Sequence, residues 1–342
     1  MKAAVFHQFG GPEKLRYEEY PDPVISQDEV LIKVKACSIN HLDIWIRNGI
    51  PAYKTPLPHI SGSDISGIVE ETGDAVKGVN IGDRVFISPG ISCFSCDYCL
   101  SGNDNLCRTF TIMGAGVDGG YAEYAKAKAG DIIPLPSNLS FEEGAAFPLV
   151  FLTAWHMLIN RAELMPGEVA LILGAGSGIG SAAIKIAHLS GAKIIAAAGN
   201  DEKLKKAKEI GADEVINYNM EEIDRKAREY TNGKGVDVIF EHIGPETWQR
   251  SILSLGKGGR IVTCGATSGP DVRLDIRYIF SRQLSIFGSI MGTRKELLHI
   301  TGLMEMEKLK PVIDSVHSLN EVRKAQELML KREIFGKLIL IP

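Results

Sequence analysis

Val169-Ala170-Leu171-Ile172-Leu173-Gly174-Ala175-Gly176-Ser177-Gly178-Ile179-Gly180 is the stretch on which the fold turns. An apolar run of strand length gives way to glycines, and Ile179, Ala182, Ala183, Ile186 and Ala187 then recur as one stripe at helical spacing. A second apolar run at residues 194–198 completes a strand, turn, helix, strand order, the opening of a parallel, doubly wound sheet. In that setting the turn is a phosphate cradle. Gly176, Ser177, Gly178 and Ile179 let backbone N–H groups approach a pyrophosphate, and the positive end of the helix stabilises its charge.

Downstream of the turn, strands are expected at residues 214–217, 236–240, 260–264 and 284–287, which with the first two make six parallel strands. Upstream the texture differs. Short β-runs such as Glu29-Val30-Leu31-Ile32-Lys33-Val34 and Arg84-Val85-Phe86-Ile87 are separated by Gly, Pro and Asp turns, and that half reads as mostly β. The last residues return to helix, β-run, helix and a strand at residues 337–341, which suits completion of the first domain. The reading is therefore an α/β chain of two domains, residues 1–130 with 292–342 and residues 131–291.

A chain of 342 residues with 45% hydrophobic and 23% charged residues is ordinary for a folded protein. Its formal charge of -4 is spread without a basic block, so neither nucleic acid nor an anionic membrane surface is an implied partner, and the expected ligand is a small molecule. No apolar run reaches the roughly 18 residues that cross a bilayer, and the first residues lack a signal-peptide layout, so a cytoplasmic location is expected.

Cys93, Cys96, Cys99 and Cys107 follow a C-x2-C-x2-C-x7-C spacing that brings four thiolates round one tetrahedral zinc. Disulfides and an iron–sulfur cluster are the alternatives, but CxxC pairs this tight without a secretory signal favour metal. Four sulfurs leave no open coordination position, so this zinc is expected to be structural and the chemistry to lie elsewhere.

An NAD site usually has an Asp or Glu at the end of the second strand, accepting from the ribose 2′-OH. Here that strand ends in Gly199-Asn200, and Asp201 comes late, in the place of a helix cap or first-turn residue. Room is left for a 2′-phosphate. Lys203 can supply the charge, although it also reads as one solvated lysine among Lys205, Lys206 and Lys208; NADPH is the expected cofactor.

Taken together, Gly82-Asp83-Arg84-Val85, Gly119-Gly120-Tyr121-Ala122-Glu123-Tyr124, Leu152-Thr153-Ala154-Trp155, the glycine turn and Phe335-Gly336-Lys337 resemble the medium-chain dehydrogenase/reductase superfamily over the whole chain. The resemblance implies a GroES-like β-domain, carrying the four-cysteine zinc lobe, interrupted by a Rossmann cofactor domain, with substrate and nicotinamide in the cleft between them. It also implies a homodimer or higher homo-oligomer, because the edge strand near residues 284–290 often pairs with its twin. Alcohol dehydrogenases of the superfamily hold a second, catalytic zinc, and this chain departs at all three ligand positions: Asn40, Ser63 in Gly62-Ser63-Asp64, and a place near Leu149. An amide, a hydroxyl and an alkyl chain do not replace such ligands. His41, His59 and Asp64 lie nearby, which leaves an unusual metal site open.

The Asn replacement resembles the zinc-free branch of quinone oxidoreductases and enoyl reductases, whose NADPH contacts carry over to Gly199, Lys203, Tyr218 and Arg332, with Cys264 and Gly265 also at the cofactor. Within that branch, residues 62–67, 240–244 and 263–269 resemble crotonyl-CoA carboxylase/reductases, but Met113-Gly114-Ala115-Gly116 stands where those enzymes have a Gly-Phe-Glu element, so carboxylation is not expected. The implied reaction is hydride transfer from NADPH to an activated C=C or quinone. Asn40 would donate to the substrate, Thr153 would shape the nicotinamide pocket, and His242 is the candidate proton donor, with a structural histidine bonded to a carbonyl as the equal alternative. A zinc alcohol dehydrogenase with unorthodox ligands and a non-catalytic NADPH-binding protein of the same fold are the rival readings.

Overall fold

The computed structural model describes residues 1–51 and 53–342. Two units emerge: residues Met1–Leu149 with Thr293–Pro342, and residues Val150–Gly292.

The first unit is organised by the strand Glu29–Ser38. Its early residues alternate, with Val30, Ile32 and Val34 buried and Lys33 exposed, while from Ala36 onward every residue is buried. The strand lies between Asp64–Thr72 and Lys337–Ile341 in a seven-stranded sheet, and Tyr124–Lys128 also pairs with it. Register then does something specific at its carboxyl end. Ser38 faces Asp64 across one antiparallel ladder and Ile339 across the other, so the chain leaving the strand at Asn40 comes alongside Lys337. Gly336 makes that approach possible: at φ +107, a Cβ on it would sit 2.5 Å from the Val312 carbonyl oxygen.

The second unit holds six parallel strands in the order Glu214–Asn217, Lys193–Ala198, Val169–Ile172, Val236–Glu241, Leu255–Thr263 and Ser285–Gly288. This is the expected doubly wound sheet, whose strand order reverses between Val169–Ile172 and Val236–Glu241. Leu171, Ile195, Ile239 and Ile261 form its core, and the helix Gly178–Leu189 buries Ala182, Ala183, Ile186 and Ala187. Ile179, expected in that stripe, is only half-buried because it lies in the first turn.

Residues 131–149 belong to the first unit, so the division falls at Leu149/Val150 and not at residue 131. Ile132–Pro134 pairs with Arg84–Ile87, and Ala145 and Ala146 of the helix Phe141–Ala146 share a buried cluster with Ala36 and Ile339. The return to the first unit comes at Thr293, one residue from the expected place. Among the described residues no helix is long and apolar enough to cross a membrane.

The helix His41–Asn48 is anchored by Asp43, which is fully buried. Its carboxylate accepts from the Asn40 N–H at 2.7 Å, the Tyr121 hydroxyl at 2.7 Å and the Gly62 N–H at 3.2 Å. Burial still outweighs these donors and pushes the Asp43 carboxyl up to about 6. A carboxyl that holds its proton more tightly in the folded state favours the fold at pH below its unfolded value and loses that contribution as pH rises to its folded value. Between about pH 4 and pH 6 the wild-type chain should therefore lose stability relative to Asp43→Asn by on the order of 3 kcal/mol. Urea unfolding of both chains across that range checks it, and parallel profiles would refute it.

Candidate active site and metal centre

Four carboxyl-edge features of the parallel sheet gather the cofactor-type residues. The helix Gly178–Leu189 starts at Ser177, whose hydroxyl accepts from the Gly180 N–H at 3.0 Å and donates to the Gly174 carbonyl at 2.7 Å. Among the described residues, the N–H groups of Gly176, Gly178 and Ile179 are left with no protein acceptor. Three converging donors at a helix start fit a pyrophosphate.

His242 follows the strand Val236–Glu241, across the point where strand order reverses. Its Nε2 lies 3.1 Å from the Leu173 carbonyl, and an oxygen that can only accept requires Nε2 to carry the proton. Burial lowers the ring's proton affinity, partly opposed by the Glu241 charge, so the imidazole is neutral at neutral pH. The ring also packs against Gly174, which at φ +60 has no room for a Cβ: one would sit 2.8 Å from Nε2. In this posture the histidine shapes the glycine turn, with its Nε2 proton directed at a carbonyl.

Glu241 is a residue that sequence reasoning passed over. Fully buried, its carboxylate accepts from the N–H groups of Ile243 at 2.6 Å and Gly244 at 3.2 Å, and from the hydroxyls of Thr247 at 2.8 Å and Ser251 at 3.3 Å. It thereby locks the turn that carries His242. The stretch Phe240-Glu241-His242 held the only signal, and nothing local distinguishes a buried Glu from an exposed one.

At the neighbouring strand end, Asn200 caps the helix Asp201–Glu209 by accepting from the Lys203 N–H at 2.9 Å. Asp201 accepts from Asn217 at 2.7 Å, so its carboxylate is committed to the adjacent strand. Gly199 lies beside the ring of Tyr218, and its carbonyl accepts from Asn219 at 2.7 Å. Gly199, Lys203 and Tyr218 are thus brought to one edge. Cys264 and Gly265 follow the strand Leu255–Thr263 at the same carboxyl edge, with the Cys264 thiol pushed up to about 12 by burial and therefore unreactive at neutral pH. Thr153, in the helix Pro148–Trp155, is buried with its hydroxyl 3.8 Å from the Met291 sulfur. Arg332 lies in the first unit, exposed and at φ +57.

In the first unit the three positions that hold zinc in alcohol dehydrogenases converge on Asp64 or its neighbour. The buried Asp64 carboxylate accepts from the Ser38 hydroxyl at 3.0 Å, Asn40 Nδ2 at 2.8 Å and Lys337 Nζ at 3.2 Å on one oxygen, and from the Leu149 N–H at 2.8 Å on the other. Lys337, itself 2% exposed, also donates to Asn40 Oδ1 at 2.5 Å. His59 bonds the Gly114 carbonyl at 3.0 Å with Asp118 3.3 Å from its other nitrogen, and His41 packs edge-on against Trp45. Neither is placed as a ligand with Asp64.

Among the described residues, one cluster is suited to hold a metal ion: Cys93, Cys96, Cys99 and Cys107, whose sulfurs lie within 4.8 Å of one another. The Cys96–Cys99 and Cys93–Cys99 separations of 3.6 and 3.9 Å match the roughly 3.8 Å edge of a tetrahedron with metal–sulfur bonds of about 2.3 Å. Phe94, at φ +53, turns the chain so that the Cys96 N–H reaches the Cys93 sulfur at 3.3 Å. Hydrogen bonds from Ser95 hold the Cys93 thiol down to about 5, while burial and the neighbouring sulfurs push Cys99 up to about 12. Four sulfurs this close ionise together only where a cation offsets their charge.

Comparison with known proteins agrees with this geometry. A family model described as zinc-binding dehydrogenase matches residues 178–305, and one described as alcohol dehydrogenase GroES-like domain matches residues 26–137. The chain is 35% identical to an alcohol dehydrogenase of Geobacillus stearothermophilus over 99% of each chain. It is 33% identical to a quinone oxidoreductase of Homo sapiens over 100% of this chain and 98% of that one. A solved structure named NAD-dependent alcohol dehydrogenase superposes with a TM-score of 0.96 at 43% identity, covering 100% of both chains.

Removing the Glu241 carboxylate should leave three buried donors unmet, the N–H groups of Ile243 and Gly244 and the Ser251 hydroxyl, while Thr247 keeps the Gly244 carbonyl. Glu241→Ala is expected to cost about 3 kcal/mol in urea unfolding and to weaken dinucleotide binding by freeing the His242 turn. Unchanged stability would show that the four bonds are dispensable.

Proposed function

The chain belongs to the medium-chain dehydrogenase/reductase superfamily and is an oxidoreductase, and from that premise we propose that it reduces an activated C=C or quinone with NADPH, without a catalytic zinc. The observation that carries the reading is the Asp64 cluster. At the three ligand positions Asn40 gives one Nδ2–H to Asp64 and takes Lys337 on its Oδ1, Ser63 offers only a hydroxyl, and Leu149 only an alkyl chain. The metal of this protein is instead one structural zinc held by Cys93, Cys96, Cys99 and Cys107.

Without a Lewis acid, alcohol oxidation loses an electrostatic contribution of several kcal/mol. An enone, enoyl thioester or quinone needs less help, since it takes hydride at carbon and spreads the charge onto oxygen. Bound NADPH supplies the hydride. The N–H groups of Gly176, Gly178 and Ile179 bind the pyrophosphate, and Lys203 with Gly199 and Tyr218 serves the 2′-phosphate end, where the Asp201 carboxylate is taken by Asn217. Cys264 and Gly265 border the nucleotide, Thr153 lines the nicotinamide pocket, and Asn40 donates to the oxygen on which charge develops. His242 keeps the glycine turn in shape. The exposed edge strand Ser285–Gly288 suits a homodimer, and cytoplasmic activity on a small molecule completes the reading.

A second reading, alcohol oxidation, is favoured by the 43% identity to a structure named NAD-dependent alcohol dehydrogenase. Zinc content separates the two. One zinc per chain, with NADPH consumed by crotonyl-CoA or 1,4-naphthoquinone but no alcohol oxidised, is the expected result. Two zincs and a chelator-sensitive alcohol dehydrogenase activity would establish the alternative. Lys203→Ala should weaken NADPH binding by about tenfold and leave NADH binding unchanged; equal affinity of the wild-type chain for both nucleotides would refute the cofactor assignment.

A further inference from the structure

Lys337 is an ammonium buried in the first unit, and its position relative to Asn40 is more specific than charge pairing requires. One of its N–H groups donates to Asn40 Oδ1 and another to Asp64 Oδ2, and among the described residues the third meets no protein acceptor. The Asn40 amide is trapped between these two charges. Turned over, it would set its NH2 group against the ammonium and its carbonyl against the carboxylate, two repulsions in place of two hydrogen bonds. Held as it is, Asn40 spends one Nδ2–H on Asp64 and keeps the second, and donation from Lys337 to the amide oxygen polarises that remaining N–H.

We propose that Lys337 is a positioning residue of the active site, which fixes the Asn40 amide as a donor to the substrate oxygen and strengthens that donor. A cation held by the fold thus acts, through an amide, at the place where the zinc-containing relatives use a metal. The proposal rests on the reading that the chain reduces an activated acceptor through Asn40. A purely structural Lys337 would be the counter-ion of Asp64 and nothing more, and the two roles separate when both charges are removed together.

Steady-state reduction of 1,4-naphthoquinone and crotonyl-CoA with NADPH is measured for Lys337→Met, Lys337→Arg and the charge-free pair Asp64→Asn with Lys337→Met. The single Met variant is expected to lose about tenfold or more in kcat with the KM for NADPH unchanged, and Lys337→Arg to recover part of the loss. The charge-free pair should fold, as its melting temperature will show, yet keep the low kcat. Recovery of wild-type kcat in the charge-free pair, or no loss in Lys337→Met, would overturn the proposal. The Asn40 side-chain N–H signals, assigned by their loss in Asn40→Ala, give a readout free of turnover: slow exchange in the wild-type chain and fast exchange in the charge-free pair are expected, and identical exchange in both would overturn it. A wild-type chain that reduced neither probe would count against the reductase reading, and the amide signals would then decide the role of Lys337 by themselves.

Discussion

A carboxylate shut away from water has to be met by donors, and at Asp64 they arrive from three distant parts of the chain: Ser38 and Asn40, Leu149, and Lys337. Removing one partner from such a buried charge pair typically costs about 3–5 kcal/mol, so each of these segments is held where the carboxylate needs it. The sheet register supplies the geometry, because Asp64 and Lys337 lie on the two strands that flank Glu29–Ser38. The result is an electrostatically closed cluster of side chains in which an ammonium, an amide and a hydroxyl share one carboxylate.

The second unit meets a different demand with the same device. A phosphate cradle requires backbone N–H groups left unpaired, and an unpaired N–H is tolerated only at an end that water or a ligand reaches. Ser177 satisfies one donor of the helix start and leaves Gly178 and Ile179 open, while His242 fills the space that a side chain at position 174 would take. Glu241, buried with four donors, keeps the His242 turn from moving. Buried carboxylates, Asp64 in the first unit and Glu241 in the second, thus hold these groups in place.

The likeness to alcohol dehydrogenases spans the whole chain, and likeness of scaffold does not carry a metal site with it. Positions 40, 63 and 149 carry an amide, a hydroxyl and an alkyl side chain, and both Asn40 and the Leu149 N–H bond Asp64.

Much of this could be read locally. The six parallel strands, the glycine turn and the cysteine lobe are encoded in periodicity and short spacings, so the residues concerned are neighbours in sequence as well as in space. Asn40, named as a candidate from the sequence, does reach the Asp64 cluster, but its partner Lys337 is 297 residues away and reads alone as the polar first residue of a terminal strand. His242 reads from the sequence as either proton donor or strut, and the partner that accepts from its Nε2–H, the Leu173 carbonyl, lies 69 residues away. The unit boundary moved to Leu149/Val150 because the pairing of Ile132–Pro134 with Arg84–Ile87 joins residues far apart in sequence. Sequence alone determined which elements form, because propensity and hydrophobic period act between near neighbours. Only tertiary structure decided which buried polar groups meet, because strand register, not spacing along the chain, sets the distance between them.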